Sequence, residues 1–283
     1  MIIDGKQISS EILENLKQRF TKLKAKDITP TLAVILIGDQ KASAIYVRQK
    51  ELKATEVGIN PQIYRFEDHI SNDEIEALVK KLDKDPKVHG IILQRPAPMQ
   101  IRVEEIEEFI SPIKEVDGFG VNSIYPVPVA AATLKMIENA YQNLGVKQSF
   151  IDWLKTKKVI VIGKGETGGK TIIQLLRKNG VEPFIVDSKT ENRDQRIKEG
   201  DIVISAVGKS GVVTSSNLKK GAVLVGVGIF SENGKTRGDY DAAEIENVAS
   251  FYSPTPGGVG PVNVSMLMEN VMQACEKLSS HII

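Results

Sequence analysis

Cysteine, histidine and net charge are all scarce in this chain of 283 residues. Cys275 is the only cysteine, so no internal disulfide can form, and the chain reads as a cytosolic protein. The three histidines, His69, His89 and His281, are scattered with no ligand spacing, and no metal site is expected. Lys+Arg 37 against Asp+Glu 36 leaves a net charge of +1, which provides no broad field to attract nucleic acid or an anionic membrane. The longest apolar runs, Leu32–Ile37 and Val223–Val227, fall far short of the ~18 residues of a membrane span. The opening MIIDGKQISSEILENLKQRF has no basic region followed by an apolar stretch, so no signal peptide is expected. What is present, 41% hydrophobic and 26% charged residues with Gly 23 and Pro 12, is ordinary globular composition. That composition excludes disordered, collagen-like and disulfide-scaffold classes, and the length suits two domains.

The hydrophobic pattern alternates between two periods. Ile12, Leu13, Leu16, Phe20 and Leu23 predict an amphipathic helix over Ser9–Lys24. TLAVILIG (31–38) is a continuous apolar run ending in a glycine, as in a strand buried on both faces of a parallel sheet. A helix over Ser43–Val57, a strand over 59–66, a helix over Asn72–Leu82 and a strand over 89–94 follow, with Ser71 and Glu74 spaced as a capping box. After a helix near Ala130–Leu144 the alternation restarts, with strands at 157–163, 182–187, 201–208 and 222–229, a helix at Lys170–Asn179 and a last helix from Pro261 to Ser279. The fold class expected is α/β with parallel sheets in two domains. Their expected ranges are 1–140 with the C-terminal helix 260–283, and 141–259. Ligands of open α/β sheets sit outside the carboxyl ends of the strands, which here deliver Gly38-Asp39, Gln94-Arg95 and Val116-Asp117-Gly118 to one rim.

Three segments carry chemistry. Gly163, Gly165 and Gly168 fit G-x-G-x-x-G directly after a strand and before a helix, the pattern of a dinucleotide pyrophosphate turn. The same stretch nearly spells a phosphate-binding P-loop through Gly169, Lys170 and Thr171, but the first required glycine falls on Lys164. Asp187 closes the next strand, where an acid accepts from the ribose 2′-OH of NAD and repels the 2′-phosphate of NADP. Ser188, Lys189 and Lys164 offer the opposite, donors and positive charge for a phosphate, and cofactor choice stays open on these residues. Tyr46 and Lys50 stand one helical turn apart on one face, able to stack on a flat ligand and to move a proton, or simply forming a solvated helix face. SPTPGGVGP (253–261) fixes an unusual backbone path, either beside a ligand or at a structural corner.

Taken together, IIDGK at the start, LAVILIGDQKASAIYVRQKELKATEVGI (32–59), GIILQRPAP (90–98), EVDGFGVN (115–122), the glycine turn, DIVISAVG (201–208), GDYD (238–241) and TPGGVGPVNVSMLMEN (255–270) make a pattern. The sequence resembles the bifunctional methylenetetrahydrofolate dehydrogenase/methenyltetrahydrofolate cyclohydrolase family nearly end to end. The resemblance implies a folate-binding α/β domain and a Rossmann-type NAD(P)-binding domain flanking a cleft, in a cytoplasmic homodimer. It implies oxidation of 5,10-methylenetetrahydrofolate by hydride transfer and hydrolysis of the methenyl product to 10-formyltetrahydrofolate, in the one-carbon metabolism that feeds purine synthesis. By position, it implies Lys50 as the cyclohydrolase lysine, Gln94 holding it, Tyr46 stacking on the folate and Asp117 bonding the pterin. Leu93, Arg95, Pro256, Gly257, Gly258 and Val259 are expected along the folate site. Gly163, Lys164, Gly165, Gly168, Asp187, Ser188 and Ile229 are expected at the dinucleotide, NADP or alternatively NAD.

The chain departs from the family at several points. Lys164-Gly165 stands where the family has Arg-Ser, and Asp187 where it has His; both weaken the case for NADP, and the second favours NAD by charge. Tyr125–Ala130 replaces a Pro-Cys-Thr-Pro-x-Gly loop, Gly120 stands where histidine is common, and Arg95 follows Gln94 in place of leucine. Two alternatives stand beside the bifunctional reading: a dehydrogenase alone, using NAD, and a non-catalytic paralogue that binds folate or nucleotide.

Overall fold

The computed structural model describes residues 1–280, apart from the side chains of Lys41 and Ala42; His281 lies outside the described residues. Packing divides the chain into two compact units, one of Ser10–Pro128 with the chain from Val264 on, the other of Met1–Ser9 with Val129–Asn263. The division differs from the boundaries expected at 140 and 260. Residues 1–9 join the second unit because the Ile3 N–H donates to the Tyr252 carbonyl and the Met1 ammonium to the Ser250 carbonyl.

Along the first unit run α1 (Gly5–Lys24), whose first turn belongs to the second unit, β1 (Thr31–Ile37), α2 (Lys41–Glu56), β2 (Asn60–Phe66), α3 (Asn72–Lys84), β3 (Gly90–Leu93) and the short α4 (Val103–Glu107). Its sheet has the order β2-β1-β3, with every pair parallel. The central strand β1 shows why its sequence is an unbroken apolar run. Leu32, Val34 and Leu36 pack on one face with Leu13, Leu16, Val47 and Met268, while Ala33, Ile35 and Ile37 pack on the other with Ile75, Val79 and Ile106. Both faces are covered, so alternation gives way to continuous hydrophobicity. Each such fully buried Leu or Ile is worth about 1.5–3 kcal/mol over leaving it exposed. The Ser71–Glu74 box forms at the start of α3, Ser71 Oγ accepting from the Glu74 N–H and the Glu74 carboxylate accepting from the Ser71 N–H. His89 is buried as a hydrogen-bond acceptor for the Thr31 N–H.

The second unit continues through α5 (Pro128–Gln142), α6 (Phe150–Lys155), β4 (Val159–Ile162), α7 (Gly169–Lys178), β5 (Phe184–Val186), α8 (Arg193–Lys198), β6 (Ile202–Ser205), β7 (Val223–Gly226), β8 (Ile229–Glu232), β9 (Lys235–Gly238), α9 (Ala242–Ile245) and β10 (Phe251–Tyr252). The final helix α10 (Val259–Ser280) starts here and continues into the first unit. Five parallel strands form one sheet in the order β10-β7-β6-β4-β5. Strands added on opposite sides of β4 create a topological switch between β4 and β6, the place where doubly wound sheets bind their ligands.

One expected strand is two. The run 222–229 breaks after Gly226, and Ile229–Glu232 turns back to pair antiparallel with Lys235–Gly238. Asn233 and Gly234 both have positive φ, the tight hairpin turn that the Asn-Gly dipeptide favours.

Candidate active site

In the first unit, α2 carries Tyr46 and Lys50 on one face, and Gln94 directly follows β3. The two elements bring lysine and glutamine together: Lys50 Nζ donates to Gln94 Oε1 at 2.9 Å. Gln94 is buried, and its side-chain N–H donates to the Arg95 carbonyl, which leaves the amide oxygen turned toward the lysine. The Gln94 N–H continues the β3 ladder onto the Ile35 carbonyl, so the pair is anchored to the central strand. Tyr46 is 41% exposed, a ring face offered outward one turn from Lys50. Ser43, one turn further back, is buried, and its hydroxyl has no hydrogen-bond partner among the described residues. Sequence reading passed over Ser43; its signal was the i, i+3, i+7 spacing with Tyr46 and Lys50.

Asp117 rides on a loop that is fixed at several points. The Glu115 carboxylate accepts from the Gly118 N–H, the Tyr125 hydroxyl donates to the Ile113 carbonyl, and the Asn270 amide donates to the carbonyls of Val116 and Pro126. Tyr125, where the segment departs from the family, is therefore a buried anchor of this loop. Arg95 has its guanidinium on Glu104 at 3.0 Å and Glu107 at 2.7 Å and lies over the Phe119 ring. Burial pushes the Glu107 carboxyl up to about 7 against the pull of Arg95, with Glu115 and Asp117 adding repulsion. The Leu93 side chain lies inside the core on the α3 side of the sheet. A cavity of about 540 Å³ opens beyond the ends of β1 and β2, lined by Asp39, Arg65, His69 and Glu74. Lys50 and Gln94 lie outside its lining, and the chemistry follows the side-chain pair rather than the cavity.

In the second unit, Gly163 ends β4 with φ near +90°, and a Cβ there would stand 2.6 Å from the Ala206 carbonyl oxygen beyond β6. A Cβ on Gly169 would overlap the Gly163 carbonyl, whereas Gly165 faces open space. The close helix–strand contact that the pattern assigns to its third glycine therefore falls on Gly169, and Gly168 meets only ordinary contact with Ala206. No side chain caps the first turn of α7, and of its N–H groups that of Lys170 donates back to the Gly165 carbonyl. These features fit a dinucleotide: a glycine-rich turn directly after a strand, leading into a helix start without a side-chain cap.

Lys164 reaches across to Asp187, Nζ to Oδ2 2.7 Å. The other Asp187 oxygen accepts from the Lys189 N–H and the Thr190 hydroxyl. Lys164 and these donors hold the carboxyl down at about 2. Ser188 is exposed beside them, and Ile229 is 47% exposed at the start of β8. Pro256, Gly257, Gly258 and Val259 belong to this unit, where the Gly258 carbonyl lies against Gly5 so closely that no Cβ fits there. That contact gives the IIDGK opening a physical reason.

Fold and site together define an NAD(P)-binding enzyme of the doubly wound α/β class, with a lysine–amide pair in a second α/β unit. Two family models match the chain: "Tetrahydrofolate dehydrogenase/cyclohydrolase, catalytic domain" over residues 3–117 and its "NAD(P)-binding domain" over residues 144–279. The chain belongs to the tetrahydrofolate dehydrogenase/cyclohydrolase family. It is 36% identical over 278 residues to the bifunctional protein FolD of Exiguobacterium sp., covering 98% of this chain and 99% of that protein. The crystal structure of the bifunctional FolD enzyme from Campylobacter jejuni superposes with a TM-score of 0.90 at 32% identity, covering 98% of this chain and 99% of that one. The Trypanosoma brucei enzyme, solved with NADP cofactor and an inhibitor, gives a TM-score of 0.84 at 26% identity, covering 98% and 97%. Among the described residues no helix is long and apolar enough to cross a membrane.

Proposed function

We propose that this chain oxidises 5,10-methylenetetrahydrofolate with NADP and hydrolyses the methenyl product to 10-formyltetrahydrofolate, with Lys50 as the proton-moving group of the second step. The 2.9 Å bond from Lys50 Nζ to Gln94 Oε1 carries the reading. In the hydrolysis, water adds to the methenyl carbon, the carbon–N5 bond breaks, and one proton is released overall. In this reading Lys50, as an amine, takes a proton from the attacking water and returns it to N5, while Gln94 fixes the direction of its amine. Tyr46 stacks on the folate, and Asp117 accepts from the N–H groups of the pterin. Arg95 flanks the folate; the Leu93 side chain, packed in the core, does not, and Pro256, Gly257, Gly258 and Val259 belong to the other compact unit.

In the oxidation the bound dinucleotide accepts a hydride, which calls for no protein nucleophile, only two rings held at contact distance. Gly163, Gly165, Gly168 and the α7 start take the pyrophosphate, and Ile229 lies beside the dinucleotide. Lys164 and Ser188 meet the 2′-phosphate once Lys164 turns from Asp187. NAD is the second reading, carried by the Asp187 carboxylate at the end of β5. The domain assignment, folate to the unit holding Lys50 and dinucleotide to the unit holding Gly163, and the cytoplasmic homodimer belong to the same proposal; light scattering in solution tests the dimer.

The decisive variant is Lys50→Met. We expect hydrolysis of methenyltetrahydrofolate to fall about 100-fold or more, with oxidation of the methylene form persisting. Unchanged hydrolysis would remove Lys50 from the mechanism, and no reduction of either dinucleotide by the wild-type protein would remove the enzyme reading.

A further inference from the structure

Asp239 follows β9 and is 0% exposed, a carboxylate sealed in the second unit. Neither proposed reaction uses it. All of its hydrogen bonds through the carboxylate go to one loop, the segment leaving β6. Ser205 Oγ donates to Oδ2 at 2.6 Å and the Val207 N–H at 2.9 Å; the Gly208 and Lys209 N–H groups donate to Oδ1 at 2.7 and 2.9 Å. Three consecutive amides are thus drawn inward onto one charge, the kind of arrangement in which charge-assisted bonds fix a backbone.

The same carboxylate also sets the next loop. A Cβ on Gly228 would collide with both Asp239 oxygens and the Gly208 nitrogen, so the segment between β7 and β8 lies directly against the clamp. There the N–H groups of Val227 and Gly228 both donate to the Ser205 carbonyl. A Cβ on Gly208 would come 3.0 Å from the Ile229 carbonyl oxygen, and one on Gly163 would come 3.2 Å from Val207 Cγ2. The loops after β6 and β7 therefore meet around one buried charge, and the loop after β4 touches the β6 loop at Val207. With the amides turned in, Val207 stays 45% exposed and Ile229 47% exposed, two apolar side chains on the rim itself.

We propose that Asp239 is the positioning residue of the dinucleotide site, holding the β6 and β7 loops so that Val207 and Ile229 form a preset apolar wall against the cofactor. The proposal rests on the dinucleotide reading above, and turnover of the wild-type protein with NADP or NAD tests that reading separately. Removing the charge leaves three amides and a hydroxyl competing for a weaker acceptor in the protein interior, and the loops relax into several arrangements.

The test is a split between the two activities of the full-length protein. Asp239→Asn keeps the size of the side chain. We expect its KM for the dinucleotide to rise about tenfold or more. Hydrolysis of methenyltetrahydrofolate, supplied directly and without dinucleotide, should stay within about twofold, since Lys50 and Gln94 belong to the other compact unit. An unchanged dinucleotide KM overturns the proposal. So does a parallel fall of both activities, which would make Asp239 a support of the whole fold. If Asp239→Asn does not fold, Ser205→Ala decides: it removes one of the four bonds, and a dinucleotide KM raised about threefold with hydrolysis unchanged is the expected result. An unchanged KM in Ser205→Ala overturns the proposal.

Discussion

Lys164 and Asp187 hold each other by an ion pair; on the proposed dinucleotide reading, this pair sets the electrostatics of cofactor choice. NADP must draw Lys164 away and bring a phosphate beside a carboxylate; NAD needs only a free lone pair on Asp187. Lys164→Ala should therefore lower kcat/KM for NADP about tenfold while leaving NAD nearly unchanged, and Asp187→Asn should raise kcat/KM for NADP by about as much. Parallel kinetics with the two cofactors check both, and equal effects on NAD and NADP would remove the pair from specificity. The residue types of this corner were legible in the chain, since Lys164 and Asp187 stand at positions fixed by the strand–turn–helix pattern. Their contact was not, because a sequence does not say which way two side chains 23 positions apart will turn.

At the scale of elements, the glycine turn and α7 separate two roles that the spacing merges. Gly169 has no room for a Cβ against the Gly163 carbonyl, so Gly169→Ala should destabilise the protein by about 1–3 kcal/mol, seen as a lower melting temperature. Gly165 faces open space, so Gly165→Ala should leave the melting temperature unchanged or slightly raised. On the proposed reading, in which the pyrophosphate approaches Gly165, it should nevertheless raise the dinucleotide KM, because the added methyl group stands in that approach. A melting scan paired with a KM for each variant separates the two. In G-x-G-x-x-G turns the third glycine commonly takes the packing role, and here the close contact falls on the next residue, Gly169. One residue of shift at a helix start lies within what spacing alone leaves open. The β8–β9 hairpin was signalled by Asn233-Gly234, but the apolar run 222–229 masked where the strand ended.

Across the whole molecule, stability depends on how many protons the folded and unfolded chains bind. Glu107 is buried beside Arg95, Glu115 and Asp117, and its carboxyl is raised from 4.5 to about 7, chiefly by burial. A raised folded-state value means the folded chain holds its proton more tightly. This contribution is fully present below about pH 4.5 and is lost as pH rises through about 7. Urea midpoints of the wild-type protein should carry a downward component from about pH 5 to about pH 8, and Glu107→Gln should flatten it. The same slope in the variant would place the proton elsewhere. Nothing in the sequence around Glu107 suggested this, since it lies on a short acidic helix that reads as surface.

Sequence alone determined the α/β class, the parallel strands, the site of the glycine turn and the likeness that names the family, because these follow from local periodicity and from residue types at fixed spacing. Only tertiary structure decided that Arg95 is spent on Glu104 and Glu107, that residues 1–9 join the second unit, and that Asp239 gathers the loops after β6 and β7; the Lys50–Gln94 pair, which the resemblance implied, took its hydrogen bond from it. Most of these join residues far apart in the chain, and even the nearest, Arg95 with Glu104 and Glu107, are nine and twelve positions apart. Hydrophobic pattern carries a segment to one face of a sheet, but which polar groups then meet is settled by the packing of the whole.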